Sequence, residues 1–523
     1  MTQESPDAAT GGIRLNRVFI VSLIFVAAFG GWGLIDPDGL TAASVGFTNF
    51  MLIGVGWYWL IICTGFLILA AFLAFGPYGQ VKLGKDDEEP EFSTVSWIAM
   101  LFAGGMGAGL IFWGAAEPLY HFTSPPGMGE GGTPEAARLA LALTNLHWGL
   151  HAWATYGVCA LVIAYFTFRK NLAPLISTPI EALFGGATGR NIGAVANVLG
   201  VFAVVFGLAG SLTMGTLQIR SGLGELIGTP DSLFMSLAIM ALMYATYMTS
   251  AAVGVDRGIK LLSNINMILA VALLAFIVIF GPSAFIFETY VDSIGQYFSR
   301  LPALAFHLMP FEGEQDWTAQ WTLTYLIWWL AWGPFVGIFI ARISRGRTIR
   351  EFCLGVIVVP TLFSMLWFAV FGGAGFYFEL FGSGGIAEMV YQDVTRALFV
   401  FLDYFPLGTV LGFVALLLIY IFLVTSADSG SFVLAMMTSE GQLDPPVVYK
   451  MVWGTLVAIL TVATLFSGSV DVAKAMAVTG AVPFSVVLLL QVIGFIRVLR
   501  SDPAARRTAG AEPKAAVAMG EKA

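Results

Sequence analysis

Charge is scarce in this chain: of 523 residues only 11% are Asp, Glu, Lys or Arg, while 58% are hydrophobic. Mean hydropathy is +0.84. A soluble domain carries about a quarter charged residues, so that class is excluded. Cysteine is almost absent: Cys63, Cys159 and Cys353 are odd in number and sit in or beside apolar runs. They read as small packing residues, not as disulfides or a metal site. No nucleophile, base and orienting group fall into a set and no cofactor motif occurs, which argues against an enzyme. The net charge of −8 is spread over tails and loops, without the basic tract that nucleic acid requires. A pore-filter motif is missing too, which sets a channel or osmosensor behind other readings.

What fills the chain is apolar sequence, in runs near the roughly 20 residues that cross a bilayer. Spans are expected near 17–35, 50–75, 96–118, 138–167, 191–217, 232–251, 258–281, 319–343, 351–376, 407–427, 448–467 and 472–498. The first is a spanning helix and no cleaved signal, because equally apolar runs recur to the far end. Twelve spans put both termini on one side. Arg14, Arg17, Lys82, Lys85, Arg169, Lys170, Arg342, Arg345, Arg347, Arg350, Arg497 and Arg500 fall on that side, against scattered cations such as Arg138, Arg220, Arg300, Arg396 and Lys474 opposite. The termini are therefore expected in the cytoplasm, in an inner (plasma) membrane, with Arg342, Arg345 and Arg347 serving mainly to set topology.

Two amphipathic stretches, 283–301 and 383–403, are expected to lie at the interface and not to span. The organisation that follows is a tail over 1–16, two additional helices with their loop over 17–95, five-helix units over 96–301 and 302–498, and a tail over 499–523. Five spans per unit invert the second unit relative to the first. Paired interruptions point to a central site in such repeats. Glycines break the third span at 104–109, and Gly333-Pro334 is expected to break the eighth at the matching place.

Glycine costs helix stability, so a run of it at membrane depth predicts unwound backbone facing a cavity. Its free N–H groups, with the positive end of the next half-helix, suit a carboxylate, and its carbonyls suit a cation. Aromatic residues lie close by. The eighth span places Trp328, Trp332, Phe335 and Phe339 on one stripe with Trp329 beside it, and the fourth sends Trp148, Trp153 and Tyr156 over one face. An interfacial aromatic belt is the plain reading. The alternative is a cage for a quaternary ammonium or sulfonium ion, which has no proton to donate and binds through cation–π attraction.

Among the remaining candidates, Glu117 and Asp428 read as residues of helix ends, either proton carriers or caps. His147 and His151 have i, i+4 spacing but no acidic or third ligand in view, and read as structural.

The runs GMGAGLIFWGAAEP, HWGLHAW and WWLAWGPFVGIFIARISRGRTIREF resemble the betaine/choline/carnitine transporter family across essentially all twelve spans. The resemblance implies an all-α polytopic protein with a LeuT-like core of inverted five-helix repeats, two extra N-terminal helices and a homotrimer. It maps the substrate cage onto Trp148, Trp153, Tyr156 and Trp329, with Trp328, Trp332, Phe335 and Phe339 along the cytoplasmic exit. The backbone at Gly105, Met106 and Gly107 would meet a carboxylate. A sodium site would take Ala103 and Met106 with Phe422, Thr425 and Ser426, no other cofactor being implied. Back-bonding to their own helix is the plain alternative for the two hydroxyls. Met267 stands where sodium-independent exchangers of the family carry arginine. Val204 and Leu208 replace the threonines of a second sodium site, which puts a second ion in doubt. Ser211, Thr213 and Thr216 fall mostly on other faces. Gly109 stands where proton-coupled choline carriers have aspartate. The expected function is sodium-coupled import of a zwitterionic osmolyte such as glycine betaine, carnitine or dimethylsulfoniopropionate. A sodium-independent exchanger is the alternative, and a proton-coupled choline carrier ranks behind it.

Overall fold

The computed structural model describes residues 15–105, 107–128, 130–253 and 256–508; over 102–105, 256–261 and 506–508 it describes backbone only. Eleven helical stretches among these residues are long and apolar enough to cross a membrane. The chain starts with α1 (Arg17–Ile35) and α2 (Pro37–Phe75). Asn16 caps α1 by accepting from the Phe19 N–H at 2.8 Å and donates its own amide to the Thr438 carbonyl at 2.6 Å. One side chain thus satisfies a helix end and fastens the start of the chain to a distant helix.

The third expected span is two helices, α3 (Thr94–Gly105) and α4 (Ala108–Thr123), each too short to cross a bilayer alone. Gly107 between them is extended, with φ −123° and ψ −163°. The fourth is divided as well, into α5 (Pro134–Trp148) and α6 (Leu150–Ala164), at Gly149 with φ −100° and ψ −131°. A Cβ on Gly149 would come 2.3 Å from the Asn145 carbonyl oxygen, which no other residue could accommodate unshifted. The break frees backbone groups that must find partners in an apolar medium. The Leu150 N–H donates to the Tyr297 hydroxyl at 3.3 Å.

Next come α7 (Gly186–Ile227), α8 (Leu233–Val253), α9 (Asp256–Phe280) and the amphipathic α10 (Ser283–Leu304), which supplies Tyr297. The second half holds α11 (Thr324–Ile343), α12 (Val359–Phe381), α13 (Gly408–Thr438), α14 (Val447–Leu465) and α15 (Val470–Arg500). As expected, α10 is not among the spanning stretches, and 383–403 forms only the short helices Ile386–Gln392 and Ala397–Leu402.

The eighth span departs from expectation: Gly333 and Pro334 lie inside continuous α11. A proline ring normally drives the preceding residue out of the helical region by clashing with its Cβ, and Gly333 has none. The irregularity sits earlier, in a wide π-turn over Ala319–Leu323.

Burial ranks the helices. In the most apolar 18-residue stretch of each span, 94% of residues are buried across α5 and α6, against 28% in α1 and 28% in α9. So α5 and α6 form the centre, and α1 and α9 lie outside. Close crossings rely on small residues: on α7 a Cβ at Gly210 would stand 2.6 Å from the Ala473 carbonyl oxygen of α15.

Candidate functional site

Three aromatic side chains from three helices meet edge to face. Trp148 of α5 and Trp329 of α11 have ring centroids 5.0 Å apart at 79°, and Tyr156 of α6 meets Trp329 at 5.4 Å and 85°. Trp153 extends the group, 5.8 Å from Tyr156 at 78°. The two indole N–H groups are spent on neighbours: Trp329 Nε1 donates to the His147 carbonyl at 2.8 Å, and Trp148 Nε1 to Glu117 Oε2 at 2.7 Å. The His147 carbonyl lies in the last turn of α5, where the break at Gly149 removes its helical partner. One irregularity in the backbone thereby orients a ring of another helix.

The fourth span does not present Trp148, Trp153 and Tyr156 on one continuous face, because Trp148 belongs to α5 and the other two to α6. They converge through the break instead. Trp328, Trp332, Phe335 and Phe339 are half-buried along α11 while most residues between them are buried, so they mark one less enclosed stripe. Trp332 pairs with Phe335 at 5.5 Å.

The glycine break adjoins this group. Gly107 and Gly109 are half-buried, and Gly107, at the N-cap of α4, has no side chain to cap it. A Cβ on Gly109 would stand 2.9 Å from Trp148 Cη2, so glycine there lets the indole approach. Met106 lies outside the described residues, and of Ala103 and Gly105 only the helical backbone of α3 is described. A cavity of about 230 Å³ lies against the break, lined by Gly107, Leu110, Ile111, Met267, Trp367 and Phe422. It brings Phe422 of α13 and Met267 of α9 to the glycine segment without including a cage ring.

Thr425 and Ser426 are half-buried on α13. The Thr425 hydroxyl donates to the Ile421 carbonyl at 2.9 Å and the Phe422 carbonyl at 3.1 Å, which leaves its oxygen lone pairs for another partner. Val204 and Leu208 are buried, and Leu208 fills the space beside Gly430, where a Cβ would meet its methyl at 2.3 Å. Thr213 and Thr216 donate back to Ala209 and Leu212.

Two further expectations are corrected. Glu117 and Asp428 are not helix-end residues: Glu117 lies inside α4, and Asp428 inside α13, which continues to Thr438. His147 is not without an acidic partner. Its Nδ1 is 2.6 Å from Glu117 Oε1, and its Nε2 is 2.9 Å from Thr322 Oγ1, while His121 Nε2 stands 3.5 Å from the same Glu117 oxygen. His151 turns away to Thr64 at 3.2 Å. The local clue was the Glu117–His121 spacing of four residues within one helix, where a carboxylate and an imidazole share a face. Only the tertiary fold adds His147, from across a loop.

The cations expected on the side of the termini have specific partners in the structure. Arg347 is buried, donates to the Phe92 carbonyl at 2.7 Å and stacks 4.5 Å over Trp97. Arg342 is exposed, and Arg345 pairs with Glu88. Beyond α15, buried Asp502 accepts from Arg169 at 2.7 and 2.8 Å, from Lys170 at 3.0 Å and from Tyr165 at 2.8 Å. Burial pushes its carboxyl up, but these hydrogen bonds outweigh that and hold it well below the usual carboxylate range.

Residues 17–504 match the model of the BCCT, betaine/carnitine/choline family transporter. The glycine betaine transporter OpuD of Bacillus subtilis (strain 168) is 42% identical over 490 residues, covering 94% of this chain and 95% of its own. An ectoine/hydroxyectoine transporter of Virgibacillus pantothenticus is 40% identical over 485 residues, covering 92% and 96%. Among solved structures, MhsT in complex with L-phenylalanine aligns with a TM-score of 0.44 at 16% identity, covering 81% of this chain and 99% of that one.

Proposed function

The chain belongs to the betaine/carnitine/choline transporter family, and from that premise we propose that it imports a zwitterionic quaternary ammonium osmolyte, glycine betaine first, together with sodium. It is a multi-pass membrane transporter of osmolytes and not an enzyme. The observation that carries the substrate assignment is the set of perpendicular rings of Trp148, Trp329 and Tyr156. With both indole N–H groups engaged elsewhere, what the tryptophans offer a ligand is their π faces, which attract a trimethylammonium group by about 1–2 kcal/mol each when desolvated. The uncapped start of α4 at Gly107 is the complementary feature, a helix N-terminus suited to the ligand carboxylate. Ectoine, the substrate in one relative's name, also joins a delocalised cation to a carboxylate and would use the same two ends.

For sodium, the backbone at Ala103 and Met106, the Phe422 carbonyl and the hydroxyls of Thr425 and Ser426 are the proposed ligands, all hard oxygen donors. The apolar contact of Leu208 with Gly430 supports a single ion. Inverted repeats over 96–301 and 302–498, a homotrimer, and cytoplasmic termini in the inner membrane complete the proposal.

Calorimetry on purified protein tests the cage. Trp329→Leu is expected to weaken glycine betaine binding at least tenfold; unchanged affinity would remove Trp329 from the substrate site.

A further inference from the structure

Glu117 Oε2 and the His147 carbonyl hold the indoles of Trp148 and Trp329, but Glu117 Oε1 and the imidazoles of His121 and His147 have no part in the cage or the proposed sodium site. We propose that this buried triad binds a divalent transition-metal ion of the zinc class, and that the bound ion holds α4 against α5 and arrests transport. Two imidazoles and a carboxylate are a borderline-soft donor set that suits zinc and disfavours magnesium or calcium. All three side chains are fully buried, and their ligand atoms lie within 4.8 Å of one another.

A tetrahedral zinc ion places its ligand atoms about 3.3 Å apart. His121 Nε2 is already 3.5 Å from Glu117 Oε1, and the 2.6 Å contact of His147 Nδ1 must open by less than an ångström. Among the described residues, His121 Nδ1 has no hydrogen-bond partner and Nε2 only the long contact to Glu117, although the ring is wholly buried between Trp317 and Trp321. A buried imidazole left this poorly satisfied costs free energy that a metal bond would recover. The outer partners are also in place. His147 directs Nε2 to the Thr322 hydroxyl, Glu117 Oε2 accepts from Trp148, and the Tyr325 ring stacks on His147 at 4.9 Å. Metal-bound histidines and carboxylates are oriented in this manner.

The Lys474 ammonium lies 4.5 Å over Trp321, which packs on His121, and is paired with Asp471 at 3.4 Å. Because Trp148 follows His147 and shares Glu117 with it, a metal bridge fixes one wall of the cage. Entry requires α4 and α5 to part, so inhibition develops slowly and faster during turnover.

The test uses tag-free full-length protein, whose only imidazoles are its four histidines. Calorimetry with zinc chloride is expected to give one site per chain, and X-ray absorption a first shell with two imidazole nitrogens. His121→Ala is expected to weaken zinc binding at least 100-fold and to make uptake insensitive to zinc while glycine betaine still binds. No stoichiometric binding to the native chain, a first shell without paired imidazoles, or unchanged affinity in folded His121→Ala would overturn the site. Because zinc binding is read directly, a negative result stands apart from any error in the assigned substrate.

Discussion

Gly109 is the residue on which the geometry of the proposed cage turns. The missing side chain admits Trp148, and a methyl group there would meet the indole at 2.9 Å. Gly109→Ala is therefore expected to push Trp148 off its position and weaken glycine betaine binding roughly tenfold, about 1.4 kcal/mol, by calorimetry. Affinity equal to that of the native protein would mean that the ring yields freely and that its placement does not matter. The rings and the glycines were visible in the sequence because their residue types are themselves the signal. The hydrogen bonds that aim those rings were not, since Glu117 precedes Trp148 by 31 positions and the His147 carbonyl is anchored to Trp329 across 182. No local pattern encodes either pair.

Among the helices, the breaks decide what meets what. The glycine-rich interruption after α3 was legible as four glycines within six positions. The break at Gly149 was not, because a lone glycine inside an apolar run is usually tolerated within a helix. The expected break at Gly333-Pro334 failed for the opposite reason: glycine before proline relieves the clash that would have made one. Gly149→Ala is expected to destabilise the protein by about 2 kcal/mol, because the added methyl would stand 2.3 Å from the Asn145 carbonyl oxygen and press on the Tyr297 hydroxyl at 3.2 Å. Thermal unfolding followed by tryptophan fluorescence, with and without glycine betaine, checks this. A native midpoint together with native affinity would show that the break does not position the cage.

In the molecule as a whole, composition and periodicity alone made the chain a multi-pass helical membrane protein, and among the described residues eleven helical stretches are long and apolar enough to cross, the third expected span being two short helices. The fastening of the chain beyond α15 was not legible in this way, because Asp502 stands 333 residues from Arg169. Removing one member of this buried ion cluster by Asp502→Asn is expected to cost about 3 kcal/mol. A differential scanning measurement reads it as a lowered unfolding midpoint. The folded-state carboxyl is held below its unfolded value of about 3.9, so its stabilisation is complete above that pH and is lost as pH falls through the folded value. The midpoint difference between native and Asp502→Asn protein should accordingly be constant from pH 5 to 8 and shrink only in strong acid. A difference that faded near pH 6 would place the charge elsewhere.

Coupled import is read by the accumulation of radiolabelled glycine betaine in proteoliposomes. With an inward sodium gradient, uptake is expected to saturate, to exceed the external concentration and to disappear when potassium replaces sodium. Undiminished accumulation in potassium would contradict coupled import.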